Sequence, residues 1–478
     1  MNRTLPPECL RAPEMLLEPE QVLLAQGPVP GQAVLVRDGC FADIGPAPAL
    51  RQRHPQVPHA ALPNTLLMPG FVDTHHHLTQ SFGRSLAAGE PSEIFRRIWV
   101  PLEASLDDEL VYKASKLAAL ESLRGGFTTV CDAGTRAKGD IGAVASAVQE
   151  AGLRCVLGLI CNDGGNDSDA STRRDLLAQA ERFLAQWQGH ALVHPSLAIS
   201  VPEAASDAML VAVSRRCAEA GAVFQSHVNE HLASVERSLV QRGKRPLELL
   251  DSLGALGPQV LIAHATLVTP HELALLQDTD TAVSFNPVAS AWKGNAVAPA
   301  LQMAEMGIRF GLGTDATRSD AFRLVDAAET SQRLAFGLHA GDFSCGGGWT
   351  WLDHATRDGA AAAGLGALTG EIAPGRRADF LLVDIGGPEL CPSFDLAWDL
   401  VRLGNRDQID AVFVDGVLRL WQGWPLAWDG PALVAEVRER ATRAVALAPI
   451  QRIHAPSGED RRARLARRTA SAARAGSR

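Results

Sequence analysis

The chain has 478 residues, with 45 Lys+Arg against 54 Asp+Glu and a formal net charge of −9. Its 46% hydrophobic and 21% charged residues form an ordinary globular balance. That balance excludes wholesale disorder and allows about three domains, or one large barrel with an appendage. The acidic body argues against a nucleic-acid groove. No apolar run reaches the roughly 18 residues of a membrane span, and residues 1–15 lack a signal peptide's hydrophobic segment. A cytoplasmic protein with no membrane or nucleic-acid partner is expected. Eight cysteines with no CxxC pair read as reduced thiols, not a disulfide framework or a cysteine zinc site.

In chain order, two apolar runs at 33–37 and 41–45 flank an Asp38-Gly39 turn, a hairpin signal. A second set lies near the other end, at 379–384, 411–414 and 417–420, with Asp415-Gly416 as its turn. Neither set can bury a sheet face alone. They are therefore predicted to pair, forming a small β-sandwich domain from residues 1–65 and 369–425 that brackets residues 66–368. Within the bracket, β-prone runs recur at 66–72, 128–131, 155–160, 192–201, 222–226, 260–263, 282–285 and 309–312. Segments of helical period separate them, such as 107–123, 172–187 and 203–220. Eight alternations predict an α/β fold, a (β/α)8 TIM-like barrel. A doubly wound sheet would be expected to carry a Gly-rich phosphate loop after an early strand, and none stands there. The Gly-rich run at 343–349 lacks the Lys and Ser/Thr of a phosphate loop and reads as a flexible connection. Residues 426–478 are expected to form a helix and a basic tail. Its last 28 positions carry eight Arg against two acids, read as a frayed, solvated end.

In a barrel, active residues gather at the C-terminal ends of strands. The first strand ends in His75-His76-His77, and strand alternation puts His75 and His77 on one face with His76 opposite. His227 ends the fifth strand, His264 the sixth and Asp315 the eighth. Nitrogen and oxygen ligands without thiolate suit Zn2+ or Fe2+, with one position open to water.

These motifs in combination resemble the amidohydrolase superfamily, in the branch of atrazine/triazine hydrolases and guanine, 8-oxoguanine and cytosine deaminases. The matching pieces are PGFVDTHHHLTQSF (69–82), HVNEH (227–231), AHATLV (263–268), GLGTDA (311–316) and TGEIAPGRRADFLLVD (369–384). The resemblance implies that His75, His77, His227 and Asp315 bind one divalent metal. It makes Glu230 the proton shuttle and places His264 against the hydroxide or the substrate. Two-metal members bridge their ions with a carboxylated Lys on the fourth strand. The five Lys here (113, 116, 138, 244, 293) include none in 192–201, so a single ion is expected. By analogy with relatives a homodimer is expected.

The expected reaction is hydrolytic removal of ammonia or an amine from a purine, pterin, pyrimidine or s-triazine ring, by attack of metal-bound hydroxide. Asp315 would accept the water's proton, Glu230 would protonate the ring nitrogen and His264 would steady the oxyanion. Opening of a cyclic amide or displacement of chloride on a similar ring is the alternative chemistry. A barrel kept only for binding or assembly is the alternative class, and it would be expected to have lost ligands. Gln80 resembles the glutamine that contacts the base in guanine and 8-oxoguanine deaminases, and an amide pairs with a heterocycle edge. Arg84 and Trp99 lie in the long first βα segment, where one could hold a carbonyl and the other stack on a ring. Asn229 could touch substrate or cap a helix. Arg318 and Trp292 lie where the sequence departs from the relatives' usual stretches, and are candidates for specificity. His76 and His231 are expected to point away or to act from behind the ligands.

Overall fold

The computed structural model describes residues 6–90, 93–338 and 341–475. Eight parallel strands follow one another in chain order: β1 (Phe71–His76), β2 (Phe127–Asp132), β3 (Arg154–Ile160), β4 (Val193–Ile199), β5 (Val223–Val228), β6 (Val260–His264), β7 (Ala282–Phe285) and β8 (Phe310–Leu312). Seven of the eight predicted runs each become one barrel strand; the run 66–72 is split, residues 66–69 ending the second-sheet strand His59–Pro69 and residues 71–72 opening β1. β1 to β8 are linked by continuous ladders, and the seam between β8 and β1 closes through the turn after β8. There the Asp315 N–H donates to the His75 carbonyl at 2.8 Å. The buried Asp73 carboxylate accepts the Thr314 N–H at 2.9 Å and its hydroxyl at 2.5 Å. These bonds lock the last strand end against the first, which matters because both carry site residues.

The helices between strands begin and end on signals written in the sequence. Asp107 caps Asp108–Arg124 by accepting from Leu110 N–H, and Ser206 caps Asp207–Ala220 through Met209 N–H. Gly152, Gly221 and Gly243 close helices in the left-handed conformation that an L side chain adopts only with strain. The apolar helix faces pack on the barrel. Phe71, for instance, meets Phe127 and Phe322 at ring distances of 6.4 and 5.3 Å. Full burial of such a side chain contributes about 1.5–3 kcal/mol.

A second sheet of nine strands interleaves both ends of the chain. Glu14–Leu24 pairs antiparallel with Gln32–Arg37 and parallel with His59–Pro69. His59–Pro69 pairs in turn with Phe380–Asp384, which continues to Ile409–Val414 and Val417–Trp421. The predicted sandwich is one continuous sheet folded over its own core. Phe41 and Phe380 lie four strand steps apart, about 19 Å if the sheet were flat at 4.7–4.9 Å per step. Their rings are 5.8 Å apart, so the sheet curls until its two halves share one core.

The chain crosses between sheets at Gly70, where a Cβ would lie 2.1 Å from the Thr128 hydroxyl. Only glycine fits this crossing. At the opposite end of the barrel from the site, buried Arg154 donates to both Asp379 oxygens at 2.7 and 3.0 Å. Asp379 also accepts the Thr369 hydroxyl and the Asp415 N–H, tying the barrel floor to the second sheet. Stranding either charge of such a buried pair costs about 3–5 kcal/mol.

Two expectations for the later chain are corrected. The run at 343–349 is not simply a loose loop, because Gly347 opens the helix Gly347–Ala355 and Asp342 accepts the Ser344 and Gly346 N–H groups before it. The basic end is not frayed along its described length. Gly430–Leu447 lies on Asp108–Arg124, with Lys113 bound to Glu436 at 2.7 Å, and Ser457–Ala475 is helical. Between them, the Ile453 and His454 N–H groups and Arg452 converge on the buried Glu90 carboxylate, which Arg97 also binds. Burial opposes the charge, but these donors hold Glu90 down at about 2. The strap thereby fixes the segment that leads into the cavity wall. None of the helices among the described residues is long and apolar enough to cross a membrane.

Candidate active site

The site stands at the C-terminal mouth of the barrel. His75 Nε2 and His77 Nε2 approach Asp315 Oδ1 at 3.4 and 3.3 Å, and His227 Nε2 is 3.3 Å from His77 Nε2. One ligand atom from each of His75, His77, His227 and Asp315 falls within 4.8 Å of the others. Strand alternation works as expected. His76 turns to the other face and reaches the Ser319 hydroxyl at 3.4 Å, and burial, aided by His77, lowers its pKa to about 3.

The cluster fits a cation on its own chemistry. His227 Nδ1 lies 2.7 Å from the Ser200 carbonyl, which can only accept, so Nδ1 carries the proton and Nε2 presents a bare lone pair. That lone pair lies 3.3 Å from His77 Nε2, where it can accept a His77 N–H or, with His77 in its other tautomer, share a cation with it. Burial lowers the pKa of both rings, so an added proton is not the natural filling. His75 Nε2 is buried and has no hydrogen-bond partner. An unsatisfied buried polar atom costs about 1–3 kcal/mol, a debt that metal coordination removes.

The backbone here is strained. His264 and Asp315 adopt φ of 79° and 51°, and Ala265 and Ala316 follow at 49° and 56°. Such left-handed non-glycine residues cost about 1–3 kcal/mol each and cluster where function over-determines the conformation. Gly313 has its own reason. A Cβ there would lie 2.2 Å from Asn286 Oδ1 and 3.0 Å from His75 Cβ, forcing His75 out of the cluster.

Beside the cluster stand His264 and Glu230. The Ser284 hydroxyl donates to Asn286 Oδ1 at 2.8 Å, which turns the Asn286 amide nitrogen toward His264 Nδ1 at 3.1 Å. This network assigns the His264 proton to Nε2. That N–H faces Glu230 Oε2 at 3.5 Å. Burial lowers the His264 pKa to about 3, so the ring is neutral and donates as imidazole.

The other Glu230 oxygen holds the residue that the sequence reading missed. Lys293, at the end of the helix after β7 (Pro287–Lys293), places Nζ 2.7 Å from Glu230 Oε1 and 2.5 Å from Asp315 Oδ2. Burial works against its charge, yet Asp315 and Glu230 raise its pKa. Its signal was available only as a rare Lys just beyond the seventh strand, next to the unusual Trp292. His231 does not point away: its Nε2 lies 3.1 Å from Glu230 Oε1.

Of the expected substrate contacts, Gln80 and Trp99 line the cavity over the cluster, together with Ile94, Phe95, Arg136 and Glu203. Trp292 borders an adjoining lobe. Three expectations are corrected. Arg84 reaches that lobe, but its guanidinium is taken up by Glu121 and by the Ser81 and Thr317 carbonyls, so it braces loops. Asn229 donates to Glu272 at 2.7 Å, away from the cavity, and caps no helix. Arg318 is exposed and lines neither lobe, because the turn after Asp315 carries it outward.

Fold and site together give a (β/α)8 barrel whose mouth carries a nitrogen- and oxygen-rich cluster fit to hold a metal ion. Residues 66–419 match the amidohydrolase family, and the chain belongs to that family. Residues 33–56 also match a bacterial imidazolonepropionase-like composite domain. The chain is 29% identical over 433 residues to 5-methylthioadenosine/S-adenosylhomocysteine deaminase of Moorella thermoacetica, covering 89% of this chain and 99% of that protein. It is 30% identical over 440 residues to 5'-deoxyadenosine deaminase of Methanosarcina acetivorans, covering 88% and 95%. Among solved structures, a zinc-bound adenosine deaminase from Xanthomonas campestris superposes with a TM-score of 0.84 at 25% identity, covering 91% of this chain and 99% of that one. The atrazine chlorohydrolase TrzN of Arthrobacter aurescens TC1 shares the fold, at a TM-score of 0.79 and 19% identity, covering 89% and 100%.

Proposed function

We propose that the chain is a metal-dependent aminohydrolase that exchanges the amino group of an adenosine-type nucleoside for oxygen and releases ammonia. The observation that carries this reading is Glu230 Oε2, unclaimed by Lys293 and set 3.5 Å from His264 Nε2 beside the His/Asp cluster. An acid in that place suits proton delivery to a ring nitrogen next to an attacked carbon. The adenosine-type substrates of the two relatives support the choice of ring.

His75, His77, His227 and Asp315 would hold one divalent ion, and the zinc of the related adenosine deaminase structure favours Zn2+ over Fe2+. When bound, such an ion supplies a Lewis acid that brings the pKa of a water toward ~7. Glu230, held as a carboxylate by Lys293 and His231, would take a proton from the water and pass it to the ring nitrogen as the water's oxygen adds to the amino-bearing carbon. A second proton would then reach the departing amine through the same carboxylate, leaving a carbonyl on the ring. The His264 Nε2–H would donate to the oxygen as charge develops on it. The Gln80 amide would pair with the ring edge, and Trp99 would cover the ring face.

An ammonia-release screen tests this directly. Zinc- and iron-loaded protein would be offered adenosine, 5'-deoxyadenosine, guanine, a pterin, cytosine, and amino- and chloro-s-triazines. Ammonia from the adenosine-type compounds, at rates well above the other rings, is expected. Chloride release from a chlorotriazine without deamination of any nucleoside would overturn the proposal.

A further inference from the structure

Glu230 divides its two oxygens between different tasks. Oε1 is held by Lys293 Nζ at 2.7 Å and His231 Nε2 at 3.1 Å, with Asn295 Nδ2 at 3.4 Å. Among the described residues, Oε2 faces His264 Nε2 at 3.5 Å without a hydrogen bond between them. A carboxylate pinned through one oxygen keeps its plane and leaves the other free to take and give a proton. Asp315 is divided in the same way. Oδ1 faces the His75 and His77 nitrogens, and Oδ2 faces Lys293.

One ammonium therefore ties the acid to the cluster, and it does so from a helix that belongs to neither strand end. Lys293 is half-buried among these groups, with 17% of its side chain exposed, so water competes weakly for its N–H groups. It also borders both lobes of the cavity, with Gln80, Ile94, Trp99 and Asp315 as the other shared walls.

We propose that Lys293 is a positioning residue for the reaction, fixing Glu230 by Oε1 so that Oε2 is the oxygen that carries the proton. The inference rests on the aminohydrolase reading above.

The test uses the metal-loaded full-length chain and its best substrate from the ammonia screen, with Lys293→Met, Lys293→Arg, Glu230→Gln and the Glu230→Gln/Lys293→Met double variant. Lys293→Met is expected to keep its metal and to hold KM within about threefold while kcat falls roughly a hundredfold, the lower range for a general acid. Lys293→Arg, which restores the cation, should recover at least a tenth of the parent kcat. The double variant should match Glu230→Gln, because groups acting as a unit do not add. A parent-like kcat in Lys293→Met, loss of metal in that variant, or fully additive losses in the double variant would each overturn the role given to Lys293. If instead Glu230→Gln itself turns over normally, the aminohydrolase reading fails at Glu230, and the role of Lys293 falls with it.

Discussion

Glu230→Gln is expected to bind metal as the parent does and to lose roughly a hundred- to ten-thousand-fold in kcat, the range that a positioned acid or base contributes. The substitution keeps the shape and the hydrogen-bonding capacity of the side chain but removes its ability to carry a proton. Glu230 lies outside the set His75, His77, His227 and Asp315 assigned to the metal, although with His264 and Asp315 it forms a second group with ligand atoms within 4.8 Å; on this assignment the metal should survive. Lys293 can still donate to the amide oxygen from its present place at 2.7 Å, so the fold around the site should hold. Metal content and steady-state rates on the same preparation separate the two effects. Loss of metal together with activity would make Glu230 a ligand instead of a proton carrier.

His77→Ala and His76→Ala should differ sharply although the residues are neighbours. His77 Nε2 faces Asp315 and His227 at 3.3 Å each, whereas His76 bonds to Ser319 on the far side of the strand. Removing a ligand from a four-group site should cost well over about a hundredfold in metal affinity, beyond the 10- to 100-fold typical of groups behind the ligands. His76→Ala should stay within about tenfold, and what it loses should come from packing, since the ring is fully buried. Competition with a chelator of known affinity measures both. Equal losses would mean that the two faces of the strand are not separated as described.

Much of this site was legible because it is written in periodicity. A strand of period two decides that His75 and His77 share a face, and eight apolar runs at barrel spacing decide where strand ends fall. The sheet built from both chain ends was legible for a simpler reason: neither set of strands could bury a face by itself. Lys293, Asn229 and Arg318 show the limit. Each lies in a loop or at a helix end past a strand, where no period fixes the direction of a side chain. Lys293 projects across the mouth to Glu230 and Asp315, Asn229 is drawn off by Glu272, and Arg318 is thrown outward by the turn after Asp315. Arg84 was misread for another reason. A guanidinium near a pocket suggests a ligand, but Glu121 lies 37 residues away in sequence and nothing local announces the pair.

The same distinction explains the basic end of the chain. Its charge pattern alone describes a solvated segment. The buried carboxylate that captures residues 453 and 454 sits more than 360 positions earlier, in the first βα segment.

The account stands on one cation held by His75, His77, His227 and Asp315. The most direct measurement is elemental analysis of the full-length chain purified without chelator and then equilibrated with zinc or ferrous ion. One equivalent of metal per chain, lost in His77→Ala and kept in His76→Ala, is the predicted result. A parent protein that binds less than about a tenth of an equivalent, or that needs two ions to reach full occupancy, would contradict it.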